Sequence, residues 1–155
     1  MVDALKMANF PDADSNKEIL KGNDQAILHA SPTRYRLDIK NNQVEQTLLA
    51  EIGMELPAVH PQLRGKDYQF AYGIAYTKPK NHTLLQEIVK LDVKNNSFQS
   101  TDFPDCIPGE PVFVPKPEAK AEDDGWLLFT RYDASKRQTV FTIAEADDLS
   151  IVYEA

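Results

Sequence analysis

Cysteine is almost missing from this chain. A single residue, Cys106, among 155 excludes an internal disulfide and a cysteine-rich zinc site, and it fits a reducing compartment, so a cytoplasmic location is expected. Long apolar runs are missing as well: no stretch of 18 apolar residues occurs. No membrane-spanning helix is therefore expected, and peripheral attachment of the complete protein to a membrane is the alternative left open. Met1 to Phe10 has neither the basic nor the long apolar region of a signal peptide. Basic clusters are scarce too. No Lys/Arg run exceeds two residues and the formal net charge is -7, so a nucleic-acid partner is not expected. Gly-rich phosphate loops, His-Glu-x-x-His and Gly-x-Ser-x-Gly are all absent, which removes the usual phosphoryl- and acyl-transfer chemistries. Cys106 has no basic sequence neighbour in Pro104-Asp105-Cys106-Ile107-Pro108, the setting of an unreactive thiol. His29, His60 and His82 each sit by a turn or a proline without paired-ligand spacing, and no metal ligand is assigned to them.

What is present is a core-forming composition, 42% hydrophobic and 26% charged, fitting one globular unit. Val2 to Ala8 reads as a short strand and Asp14 to Gly22 as a brief helical excursion. From Thr33 onward the pattern is β. Tyr35, Leu37 and Ile39 alternate with Arg34, Arg36 and Asp38, and Lys40-Asn41-Asn42 supplies a turn before Val44 to Ala50. That hairpin recurs: Leu37-Asp38-Ile39-Lys40-Asn41-Asn42 is matched by Leu91-Asp92-Val93-Lys94-Asn95-Asn96, about 54 positions on. A looser copy runs from Leu127 to Ala144 through Lys136-Arg137, followed by a strand from Ile151 to Tyr153. Self-similarity at this period marks a propeller or solenoid, and roughly 40 to 50 residues per blade gives about three blades, too few to close a ring.

Two glutamates occupy apolar settings at similar places in the repeat. Glu110 precedes the short run Val112 to Val114, closed by Pro115 and Pro117; Glu55 lies between Met54 and Leu56, before Pro57. A carboxylate entering a segment that reads as buried needs a donor such as an imidazole N–H; the alternative reading is an ordinary surface glutamate beside a proline, at the mouth of a strand and pointing into solvent. Glu87 reads as an ordinary exposed glutamate for comparison. Glu122-Asp123-Asp124 lacks the alternation of a calcium loop and reads as a solvated turn. Trp126, Phe129 and Phe141 read as blade core.

Glu55-Leu56-Pro57, Arg64-Gly65-Lys66, Tyr72-Gly73, Gly109-Glu110-Pro111-Val112-Phe113-Val114-Pro115 and Glu122-Asp123-Asp124-Gly125 resemble, in order and spacing, the carotenoid cleavage oxygenases. That family includes apocarotenoid- and stilbene-cleaving enzymes and the retinoid isomerase of the eye. The resemblance covers most of the chain. It implies an all-β fold, about three blades of a seven-bladed propeller, with residues 1–155 forming part of one oxygenase domain incomplete at both ends. It further implies Fe(II) on the propeller axis held by four histidines, with three glutamates accepting their free N–H groups. Glu55 and Glu110 stand where two of those glutamates are found, serving the third and fourth histidines. The ligand histidines themselves match no position here, so the chain alone would hold no iron. Implied partners are a carotenoid, apocarotenoid or stilbene, O2, and the remainder of the propeller.

Two functional readings follow. In one, the chain is a segment of an iron dioxygenase that cleaves a conjugated C=C bond into two carbonyl products. In the other, it is a non-catalytic propeller fragment or interaction module lacking the iron ligands.

Overall fold

The computed structural model describes residues 30–76 and 85–155. The strand expected at Val2 to Ala8, the helical excursion between Asp14 and Gly22, and both His29 and His82 lie outside these residues. Within them the chain forms antiparallel strands and one short 3-10 turn, Pro61–Leu63. β1 (Thr33–Asp38) and β2 (Gln43–Leu48) make a separate hairpin. β3 (Gly53–Val59), β4 (Phe70–Tyr76), β5 (Glu87–Asp92) and β6 (Ser97–Asp102) follow as a four-stranded meander, each strand paired with the next. β7 (Cys106–Pro108) and β8 (Val112–Pro115) share one edge of β9 (Gly125–Asp133), whose other edge pairs β10 (Gln138–Glu145) and then β11 (Ile151–Glu154).

The patterning of each strand follows its place in the meander. β4 and β5 are central, so both their faces are covered and Ala71 to Ala75 and Glu87 to Leu91 are buried almost without a break. β6 is outermost and correspondingly polar. On one face of the first meander, Tyr72, Ile74 and Ile88 share a core with Phe113, Leu127, Phe129 and Ala144 of the second. On its other face, Met54, Ala71, Ala75, Val89 and Leu91 pack with Leu49 and Ile52 from the segment that leads in from β2. Two sheets stacked face to face around a shared apolar layer, one a four-stranded meander and the other a five-stranded sheet in which β7 and β8 together form the first, interrupted strand, are successive blades of a partial β-propeller.

Among the described residues two blades are complete, and β1–β2 stands as a separate two-stranded hairpin. The two close copies of the hairpin motif are equivalent: Asp38 accepts from the amide and side chain of Asn41, Asp92 from those of Asn95, and Asn42 and Asn96 both turn at positive φ. The looser copy carries the same turn chemistry, with Asp133 accepting from Ser135 and Lys136. It joins β9 to β10, however, the second and third strands of its blade, whereas the Asp92 turn joins the third and fourth. Local turn chemistry recurs wherever a tight hairpin is needed, so it marks a hairpin and not a blade position. Phe129 is core as expected, whereas Trp126 is half-buried and Phe141 is exposed, because both alternate onto faces that no described strand covers.

Candidate functional site

Both glutamates lie on the innermost strands of adjacent blades, and both sit at a break in the ladder. β3 pairs β4 regularly up to Glu55 opposite Ile74, then slips before resuming with Ala58 opposite Tyr72. Leu56 fills the slip at a φ of 50°. Gly73 faces this bulge, and a Cβ there would meet the Glu55 carbonyl oxygen at 2.7 Å, so the close backbone approach requires glycine. In the next blade the inner strand is broken outright: β7 ends at Pro108, β8 begins at Val112, and Glu110 lies in the gap. Bulges and breaks of this kind aim side chains out of the sheet plane.

Of the two readings of Glu110, a carboxylate entering a buried segment and a Glu-Pro pointing into solvent, the geometry matches the second. Pro108, Pro111 and Phe113 are buried, but Glu110 itself is exposed, and so is Glu55. Alternation is suspended at the breaks, so the burial of the flanking residues does not extend to the carboxylates. Neither has a hydrogen-bond partner among the described residues, which leaves two acceptors free on the inner edges of neighbouring blades. The reading of Glu87 as an exposed glutamate is also corrected: it is 9% exposed, on a central strand covered on both faces.

The acidic stretch after β8 is not a solvated turn. The Glu122 carboxylate accepts the backbone N–H of Gln69 and of Phe70, each at 2.7 Å, and so ties the second blade to the start of β4. Asp123 takes a 2.6 Å hydrogen bond from Lys90 Nζ. Lys90 is 5% exposed, donates also to the Asp147 carbonyl at 2.8 Å, and lies 4.1 Å from the Phe70 ring centre. Asp124 pairs with Lys116. Beside Lys90, Tyr72 is fully buried and its hydroxyl has no partner among the described residues. Burial first, and then the charges of Asp123, Glu122 and Asp147, push its phenol far above the ordinary range. The signal for this latch was the Glu-Asp-Asp-Gly motif, misread because its partners, Gln69, Phe70 and Lys90, are remote in sequence.

His60 is half-buried at the end of β3, where Nδ1 accepts the Gln62 N–H and the ring packs on Phe113 at 5.1 Å. Cys106 is buried, and although no basic residue neighbours it in sequence, the strand pairing brings the Arg131 guanidinium within 3.5 Å of its sulfur. Among the described residues no group of three or more His, Cys, Asp or Glu could hold a metal. These residues do not fit a metal's own ligand shell.

A model of the retinal pigment epithelial membrane protein family matches residues 1–155. An apocarotenoid-15,15'-oxygenase from Synechocystis is 30% identical over 151 residues, which are 97% of this chain and 31% of that protein. Human beta,beta-carotene 15,15'-dioxygenase is 36% identical over 119 residues, 74% of this chain and 20% of that one. Among solved structures, the cobalt-substituted Synechocystis enzyme superposes with a TM-score of 0.76 at 33% identity, covering 83% of this chain and 26% of its own. The chain thus spans less than a third of these relatives.

Proposed function

The chain belongs to the retinal pigment epithelial membrane protein family, which includes the carotenoid oxygenases, and on that premise we propose that it is a segment of an iron(II) dioxygenase. The full-length protein would cleave one conjugated C=C bond of a carotenoid or apocarotenoid with O2; both oxygen atoms end in the two carbonyl products. The cobalt-substituted relative is consistent with a metal in such a site. The observation that carries the reading is the pair of exposed, unpartnered carboxylates, Glu55 and Glu110, at ladder breaks on adjacent inner strands.

Iron would supply the activation of O2, held, as the resemblance implies, by histidines that match no position of this chain. The share of this chain is orientation. A ligating imidazole that donates its second N–H to a carboxylate is fixed in tautomer and ring plane and becomes a more basic ligand. Glu55 and Glu110 are free to accept such protons because no residue of their own blades occupies them. The remainder of the propeller would bring the imidazoles into reach, and a cytoplasmic enzyme peripheral to a membrane would meet apolar polyene substrates there.

The test is incubation of the full-length protein with Fe(II), O2 and, in turn, a carotenoid, an apocarotenoid and a stilbene, with products identified by mass spectrometry. Paired aldehyde or ketone products that depend on iron and incorporate label from 18O2 support the reading. Iron-loaded protein that consumes none of the three sinks it.

A further inference from the structure

One contact between the two blades is built around a single aromatic ring. Phe113 on β8, three residues after Glu110, is buried, and its ring centre lies 5.1 Å from that of His60 and 5.4 Å from that of Tyr72. Both partners belong to the first blade. His60 follows β3, five residues after Glu55, and Tyr72 stands opposite Ala58 of the same strand. On its own blade the ring fills a socket left by Gly125, where a Cβ would stand 2.5 Å from Phe113 Cζ and 2.7 Å from the Val114 carbonyl oxygen. No side chain at position 125 is compatible with the ring where it is.

The arrangement is more specific than an apolar filler requires. A ring that only occupied core volume would not need a glycine socket on one blade and two ring partners on the other. Close-packed contacts of this type hold discrete positions and do not deform continuously. We propose that Phe113 is a positioning residue: seated against Gly125 and clasped by His60 and Tyr72, it fixes β8 against β3 and so sets the separation of Glu55 and Glu110. The catalytic use of that separation rests on the function proposed above.

The test measures the separation directly, in the metal-free full-length protein, by pulsed dipolar spectroscopy between spin labels on Glu55→Cys and Glu110→Cys. Both positions are exposed, and buried Cys106 is shielded from labelling. A narrow distance distribution is expected, broadened or displaced by about 1 Å or more when Phe113→Leu is added. His60→Ala removes a half-buried ring outside the core and should do the same if Phe113→Leu proves unstable. An unchanged distribution in both backgrounds overturns the proposal. In unlabelled enzyme, Phe113→Leu should lower kcat about 10- to 100-fold with little change in KM, since misplacement near 1 Å carries losses of that order. A broadened distribution with kcat intact would keep the positioning role and overturn the reading of the glutamates instead.

Discussion

A carboxylate without a partner on the inner edge of a sheet costs little while water reaches it, and it becomes useful when an imidazole N–H arrives. Glu55→Gln and Glu110→Gln keep size and one acceptor oxygen but remove the charge. Each should therefore weaken iron affinity or activity of the full-length protein about 10- to 100-fold, the usual scale for partners of metal-bound histidines. The control must be an exposed glutamate, and Glu87, buried on β5, is unsuitable. Glu51 is exposed, and Glu51→Gln should leave stability within about 0.5 kcal/mol and iron occupancy unchanged. Parallel iron titrations decide: if Glu55→Gln and Glu110→Gln behave like Glu51→Gln, they are ordinary surface residues. The positions of these glutamates were readable because each stands beside a proline-bounded apolar segment, Glu55 between Met54 and Leu56 before Pro57, and Glu110 before Pro111 and the run Val112 to Val114. Their exposure was not, since a positive φ at Leu56 and a break at Glu110 leave no periodic trace. The error at Glu87 has the opposite origin: a polar residue on a doubly covered strand keeps its burial whatever its type.

Between elements, charge does two separable jobs. In the inter-blade latch, Lys90 is 5% exposed while the Asp123 side chain is 21% exposed, so the two partners are not equivalent when orphaned. Asp123→Ala strands a buried ammonium with only a carbonyl and a ring, and should cost about 3 kcal/mol, the low end for breaking a buried pair. Lys90→Met leaves a carboxylate that reaches water and should cost only about 1 kcal/mol, because the methionine keeps most of the buried stem. Urea midpoints of the two variants test the asymmetry; equal losses would mean the pair is effectively solvated. In the hairpin turns, carboxylates are held below their ordinary range by the bonds they accept. For Asp38 these come from the Asn41 side chain and then its amide, for Asp133 from the Ser135 hydroxyl and then the Lys136 amide, and for Asp148 from Ser150. A folded pKa below the unfolded value contributes stability above about 3.8 that disappears as pH falls through the folded values. Stability should thus decline below about pH 4, and Asp133→Asn should lower the neutral-pH midpoint while flattening that decline. The turns themselves were plain in the sequence because Asp-x-x-Asn chemistry is local. The latch was not, since Glu122 meets Gln69 and Phe70 only once two blades have stacked.

Across the whole molecule, the apolar layers that join blade to blade also appear where no described blade follows. On the β1–β2 hairpin, Tyr35, Leu37, Val44 and Leu48 share one face through the pairings Leu37 to Val44, Tyr35 to Gln46 and Thr33 to Leu48. Leu37 is 67% exposed and Val44 64%. At the other end Val112, Val152 and Tyr153 are each at least half exposed. Blades of a ring depend on their neighbours, so each open face and each unpaired inner edge is a site for aggregation when the chain stands alone. The 155 residues expressed by themselves should bind a hydrophobic dye and sediment as a concentration-dependent mixture. Adding back the remaining sequence should remove both signs, since the same faces would then be buried against further blades. Replacing Leu37 and Val44 with Thr, which keeps strand propensity while removing apolar area, should raise solubility of the isolated chain and destabilise the full-length protein. A monomeric, cooperatively melting 155-residue chain, with dye binding no higher than a closed globular control, would show that these faces are not blade-stacking surfaces and would overturn the open-propeller reading.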